Sequence, residues 1–524
     1  MSMRITIGIG MLAFAVVCCS AGPAPGGDAA ASALWGDLEP GRHAVGFMAF
    51  EKYDYSRSFE AKKDYYGSPL PGERGRPVQV CVWYPAIADD ADPRMVHAEY
   101  AFIYPGDSRF FGFLGNLQDR EVGVLHYIFN NDRGAVIDLQ SEELAAVRDA
   151  PAAPGRFPLI LYSPHFNISA DENVILCEYL ASHGFVVAGT HAYGPAGLRS
   201  GETPMDVEVL VDDLGFVLAA MHEFDFIDHD RLGVLGSGGG GVAALLFQMG
   251  NLYVDAVAGL NARFLYSEYR DLAEASARYD IRRASVPMMH ICGGGREGFD
   301  PSLVDSLEYA DRYALIFSEM STLVFSSYRM FLSTVFAPNE ADSKAYEATC
   351  SYLLNFFEAY LNGSEGGRTF LGARPEANGL DFAEVVYSHV PGRELPPTPE
   401  QFMAIFQERG VDEAVAIFEK FRAENPGLVL FEEANCNYAG YSLLQQGQAE
   451  AAVAVFRMNT EAYPNSANTW DSLAEAYLAT GDEDGAAECY RMVLEVLPDD
   501  PAATDELRGV LRSNAEQFLE RPEE

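Results

Sequence analysis

Between residues 157 and 361, short apolar runs alternate with longer stretches of helical spacing. Phe157–Tyr162, Gly184–Gly189, Arg231–Leu235, Tyr253–Leu260 and Val286–Cys292 are short and rich in aliphatic residues, which predicts buried strands. Asn173–His183, Val207–Phe224, Val242–Met249 and Ser343–Leu361 place apolar residues every three or four positions, which predicts helices. Thr322–Ser326 reads as the last strand. Upstream, Val78–Tyr84 reads as a strand closed by Pro85, and residues 89–150 as a more polar, partly helical insertion. The alternation predicts an α/β fold, a largely parallel sheet with helices on both faces, over residues 40–390.

At residues 391–399 the pattern breaks into a Pro-rich linker. Beyond it, residues 400–524 read as helical with an internal repeat. Gly447, Ala452, Phe456 and Pro464 recur 34 residues later as Gly481, Ala486, Tyr490 and Pro498. Trp470, Leu473, Ala474 and Tyr477 complete a W-x2-L-[GA]-x2-Y pattern. This resembles the tetratricopeptide repeat, in which small residues let paired helices approach and aromatics fill the seam. Ala414, Phe418 and Pro426 form a partial earlier copy. Trp470 is expected to be buried near Tyr477 and Tyr490. Two roles stay open for the repeats: packing, or binding a protein or peptide on a concave face.

The N-terminus changes the picture of compartment. Arg4 precedes a 13-residue apolar run, Ile5–Val17, followed by Cys18-Cys19-Ser20-Ala21-Gly22. The run is too short to span a bilayer and fits a signal peptide over residues 1–21. The cysteines resemble a bacterial lipobox, so either a periplasmic or outer-membrane lipoprotein or a secreted protein is expected. Residues 22–39 read as a tether. The net charge of −41 argues against nucleic acid as a partner and leaves a lipid anchor as the expected membrane contact. The cysteines beyond the leader form no C-x-x-C pair, and no H-x-H or H-E-x-x-H spacing exists. No metal or cofactor is expected.

The candidate chemistry lies where a strand meets a glycine run, Leu235-Gly236-Ser237-Gly238-Gly239-Gly240-Gly241. A serine hydrolase places G-x-S-x-G at such a turn. Anchoring on Gly236 and Gly240 puts Gly238 at the tip, with Ser237 one residue early. Ala44–Phe47, Arg76–Pro85, Phe157–Ser163, Leu180–Ala188 and Asp230–Gly236 resemble, in order, the platelet-activating-factor acetylhydrolase and dienelactone-hydrolase branch of the α/β-hydrolases. The resemblance covers most of residues 40–365. It implies a Ser-Asp-His triad acting on short or oxidised acyl esters without a cofactor, and a small ester or lipid as ligand.

The residues depart from that family at each catalytic position. Gly238 stands for the serine, Asn261 for the acid and Tyr328 for the histidine. The oxyanion segment reads Ser163-Pro164-His165, and proline has no N–H to donate. Asparagine cannot be the anionic partner of an imidazolium, and tyrosine, with a pKa near ~10, is a poor base at neutral pH. The first hypothesis is a hydrolase-like domain without serine chemistry, fused to a repeat module. The alternative is an esterase with another nucleophile, such as Ser237 with Glu297 or Asp300 and His389. His165 and His191 are expected to be loop histidines that hold main-chain carbonyls.

Overall fold

The computed structural model describes residues 32–58, 75–101, 125–126, 129–195, 200–294, 299–318, 325–335, 339–380 and 385–521. The proposed leader, the lipobox cysteines and Glu297 lie outside these. The chain divides into two compact units, with the boundary between Arg393 and Glu394.

The first unit is built on one sheet of ten strands. In chain order they are β1 (Ala44–Ser58), β2 (Gly75–Ala86), β3 (Ala146–Arg148), β4 (Phe157–Ser163), β5 (Val186–Thr190), β6 (Ile227–Ser237), β7 (Ala256–Leu260), β8 (Met288–Gly293), β9 (Arg312–Phe317) and β10 (Val385–Val390). Their order across the sheet is β3-β1-β2-β5-β4-β6-β7-β8-β9-β10. From β5 to β9 neighbours run parallel. β2 is antiparallel to both β1 and β5, and β10 is antiparallel to β9.

Every residue of β4, β5, β7 and β8 is buried, as a sheet covered on both faces requires. Helices Val174–Ser182 and Glu340–Leu361 supply one core, with Leu235, Met289 and Ile291. Helices Pro204–Met221 and Gly239–Gly250 supply the other, with Val234, Met288 and Cys292. The start of Pro204–Met221 is fixed locally. Thr203 and Asp206 form a reciprocal capping box, and Pro204 supplies a preset φ in the first turn.

Three expectations need correction, and one strand was not expected. The last parallel strand among the described residues is β9; of the expected strand Thr322–Ser326, Phe325 and Ser326 are not in a strand and residues 322–324 lie outside the described residues. β9 alternates buried and half-buried residues, so its apolar run is short. The edge strand β10 is mostly exposed and carries little hydrophobic signal. The segment read as an insertion ends in β3, whose Ala146 and Val147 pair with β1. The tether is not free throughout its length: Leu34, Trp35 and Leu38 are buried. The Trp35 indole also donates to Glu178, 3.2 Å away. A composition dominated by Gly, Ala and Pro hid this anchor.

Among the described residues the second unit is all helical: Pro399–Arg409, Val411–Glu424, Glu433–Gln445, Ala449–Ala462, Ala467–Thr480, Glu483–Val496 and Asp505–Leu519. Ala414, Ala452, Ala474 and Ala486 are fully enclosed. A side chain on Gly440 would meet the Phe456 ring at 2.4 Å, so that pair of helices packs on a bare backbone. Trp470 is half-buried rather than enclosed, with its indole N–H on the Pro464 carbonyl at 2.9 Å. Phe418, Phe456 and Tyr490 are buried in the core of this unit, together with Phe402, Phe421 and Phe431. The six cysteines among the described residues are all buried and unpaired. No described helix is long and apolar enough to cross a membrane.

Candidate active site at the strand-to-helix elbow

β6 ends at Ser237, and the helix Gly239–Gly250 begins two residues later. Between them Gly238 turns the chain with φ 50° and ψ −116°, a conformation costly for any residue with a Cβ. Its N–H donates to the Leu260 carbonyl at 2.9 Å, which ties the turn to the end of β7. The neighbouring glycines answer to close approach. A Cβ on Gly236 would lie 2.4 Å from the Gly240 carbonyl oxygen, and one on Gly240 would lie 2.1 Å from that of Ser163. Gly236 and Gly240 therefore flank the turn, and Gly238 is its tip.

The space above the tip is taken. A Cβ on Gly238 would stand 2.3 Å from His165 Cδ2 and 2.8 Å from Cγ. One on Gly239 would strike the Phe166 ring at 2.2 Å. The His165 Nδ1 lies 3.2 Å from the Phe166 carbonyl, and its main-chain N–H donates to Glu172 Oε1 at 2.9 Å. An oxyanion cradle needs main-chain donors facing the tip. Pro164 has none, and His165 has spent its own on Glu172.

Glu172 is a site residue that the sequence did not reveal. It is 4% exposed and also accepts from the Tyr162 hydroxyl at 2.7 Å and from Ser237. Burial raises its pKa to about 6, against the pull of those donors. The adjacent Asp171 is likewise raised by burial. Asn173 donates to the Tyr162 hydroxyl at 3.1 Å and extends the cluster. In the sequence, Asp171-Glu172-Asn173 looks like an ordinary polar entry to a helix. No periodicity shows that it sits at the ends of the central strands β4 and β6.

Asn261 follows β7 with φ 45°, a left-handed conformation that Asn tolerates better than most residues. Its N–H donates to Ile291 at 2.7 Å, and its side-chain oxygen accepts from Tyr266 at 2.9 Å. Tyr328 opens the helix Tyr328–Val335 and is buried, its ring edge-on to Phe331. The preceding Ser327 donates its N–H to the Glu172 carbonyl at 3.0 Å.

The alternative triad is not assembled. Ser237 is 8% exposed, below the turn, with its hydroxyl on Glu172. Asp300 holds Ser302, its N–H bonds Leu265, and Arg270 stands 3.7 Å away. His389 is in β10, stacked on Tyr313 with ring centroids 4.1 Å apart. That strand lies four places from β6 across the sheet, so His389 cannot serve Ser237. His191 does not hold a carbonyl as expected: it is buried and neutral, its Nε2 faces Gln79 Oε1 at 2.9 Å and its Nδ1 accepts from the Ala170 N–H. Among the described residues no group of side chains could hold a metal ion.

No protein-family model matches the chain, and no curated protein does. Among solved structures the chain is similar to a ferulic acid esterase from Streptomyces cinnamoneus, at 20% identity and a TM-score of 0.47. That match covers 69% of this chain and 99% of the esterase. Strand order, two-faced helix cover and the elbow after β6 are those of an α/β-hydrolase-type sheet.

Proposed function

We propose that the chain is an exported binding protein built on an α/β-hydrolase-type sheet without serine-ester chemistry, carrying a tetratricopeptide module. The observation that carries the first part is the elbow: its tip is Gly238, and His165 fills the volume a nucleophile would need. An acyl-enzyme requires an oxygen nucleophile and a base to activate it. Neither Asn261 nor Tyr328 supplies the missing charge or basicity. The repeat reading draws support from Gly447 and Gly481, which both follow helices with φ near 80° (76° and 81°). It also draws support from Ala452 and Ala486, both fully enclosed one turn into the next helices. Export rests on the leader pattern in the sequence.

One observation favours the alternative. Ser237 bonds a carboxylate whose pKa is about 6, close to that of a working base. A fluorophosphonate probe separates the two readings, because it labels activated serines covalently. The expected result is no labelling of the full-length protein and no hydrolysis of p-nitrophenyl acetate above background. Stoichiometric labelling that disappears in Ser237→Ala would overturn the proposal.

A further inference from the structure

A cavity of about 210 Å³ lies against β8, β9 and β10, beneath the segment Phe299–Asp305. Its wall is mainly apolar, from residues such as Leu265, Phe299, Val304 and Ile316. His290, Asp305, Arg312, Tyr313 and Ser388 break that wall, and two of them, His290 and Arg312, carry buried nitrogens without partners. His290 is 2% exposed, and neither ring nitrogen has a hydrogen-bond partner. Its ring is held by packing alone, edge-on to Phe264 at 5.2 Å. Burial lowers its pKa to about 3, so the ring stays neutral and offers one donor and one acceptor.

The second group is Arg312, at the start of β9. One guanidinium nitrogen bonds the carbonyls of Val304 and Asp305 at 3.2 and 2.6 Å, while its buried Nε has no partner. No carboxylate among the described residues pairs with it, and the side chain of Asp305 is exposed. An unpaired guanidinium is unusual in a chain whose net charge is −41. His290 stands in mid-strand, facing the Met288 and Cys292 side of the sheet. Ser237 and Glu172 lie on the other side, with Leu235 and Tyr162.

We infer that this cavity is a binding site for a small amphipathic monocarboxylate. The carboxylate bonds Arg312, whose planar donors suit it. The apolar body lies on Leu265, Val304 and Ile316, and a polar group on the body meets His290. The volume is below the roughly 300–1,000 Å³ of pockets for drug-sized ligands, which sets the ligand as a short aliphatic or single-ring acid. The inference does not depend on the state of the elbow.

Calorimetric titration of the full-length protein with benzoate and hexanoate, each beside its neutral amide, tests it. At least one acid should bind one-to-one, roughly tenfold or more tighter than its amide, as expected for a charge-assisted contact. Arg312→Gln should remove that preference. Ala314→Phe, set beside His290 across β8 and β9, fills the cavity while leaving both polar residues in the chain and should abolish binding. It also serves where Arg312→Gln fails to fold. Equal affinity for acid and amide, no binding of either acid, or binding that survives Ala314→Phe would each overturn the inference.

Discussion

Two buried polar groups lie on opposite faces of the same sheet, and they differ in one respect. Glu172 is surrounded by donors from Tyr162, Ser237 and the His165 main chain. His290 is equally buried and has none. Both have pKa values displaced by burial, Glu172 upward and His290 downward. Displacement alone would mark either as a functional centre. The partner count separates them. A carboxylate engaged on every side holds a loop in place, whereas a ring with two idle nitrogens beside a cavity is prepared for something that arrives.

The largest expected effect breaks the satisfied cluster. Glu172→Ala leaves three buried donors without an acceptor, and each orphaned group costs roughly 1–3 kcal/mol. The sheet unit should lose about 3 kcal/mol or more. Fluorescence of the buried Trp35 and Trp83 in a Trp470→Phe background reads that unit alone. A loss below about 1 kcal/mol would mean that the donors find other partners and that Glu172 is not the post on which the loop hangs.

Next in size is the elbow above it. Gly238→Ser forces a Cβ into a left-handed conformation and onto the His165 ring, at a cost of about 1–3 kcal/mol. Adding His165→Ala should recover part of that loss, a coupling that a double-mutant cycle measures. Fluorophosphonate labelling should stay absent in both. It should require Asn261→Asp and Tyr328→His as well if these positions converge on the tip. Full additivity of the two substitutions would show that His165 is not what blocks position 238.

The charge of Glu172 gives a pH signature of intermediate size. Its folded pKa, about 6, exceeds the unfolded value near 4.5. Between those values the folded state holds a proton that the unfolded state has lost. Stability therefore falls as pH rises through that window, by about 2 kcal/mol from this group alone. Asp171, also raised by burial, works in the same direction. Glu172→Gln should flatten the slope between pH 4.5 and 6, measured by urea unfolding at several pH values. An unchanged slope would assign the titration elsewhere.

The sheet was legible because buried parallel strands announce themselves as apolar runs, and the elbow because glycines crowd one turn. Gly238 and Asn261 could be located in the chain because each directly follows a buried strand, whereas Tyr328 opens a helix. What fills the site could not. That His165 lies over Gly238 depends on how Ser163-Pro164-His165 leaves β4, and Glu172 on a three-residue entry to a helix. Neither has a periodicity. Trp470 shows the same limit in the helical unit: the sequence pattern predicted burial, but the residue is half-buried and its indole N–H bonds the Pro464 carbonyl. β10 and β9 escaped notice because an edge and its neighbour bury too few residues to leave a run.

The smallest expected effect concerns His290, and its sign matters more than its size. If the ring were structural, replacing it would cost stability, as at Glu172. But no donor or acceptor depends on it, so His290→Leu orphans nothing. It removes two buried polar atoms that already lack partners and leaves apolar surface against Phe264 and Leu265. Exchanging an unsatisfied polar group for an apolar one of similar size is neutral to stabilising. The ligand-free protein should therefore gain between zero and about 1 kcal/mol in thermal or urea unfolding. Acid binding should persist, because Arg312 still holds the carboxylate, but acids carrying a second polar group should lose their advantage over plain ones. A loss of more than about 1 kcal/mol in the ligand-free protein would place His290 in a hydrogen-bonded network and erase the contrast with Glu172.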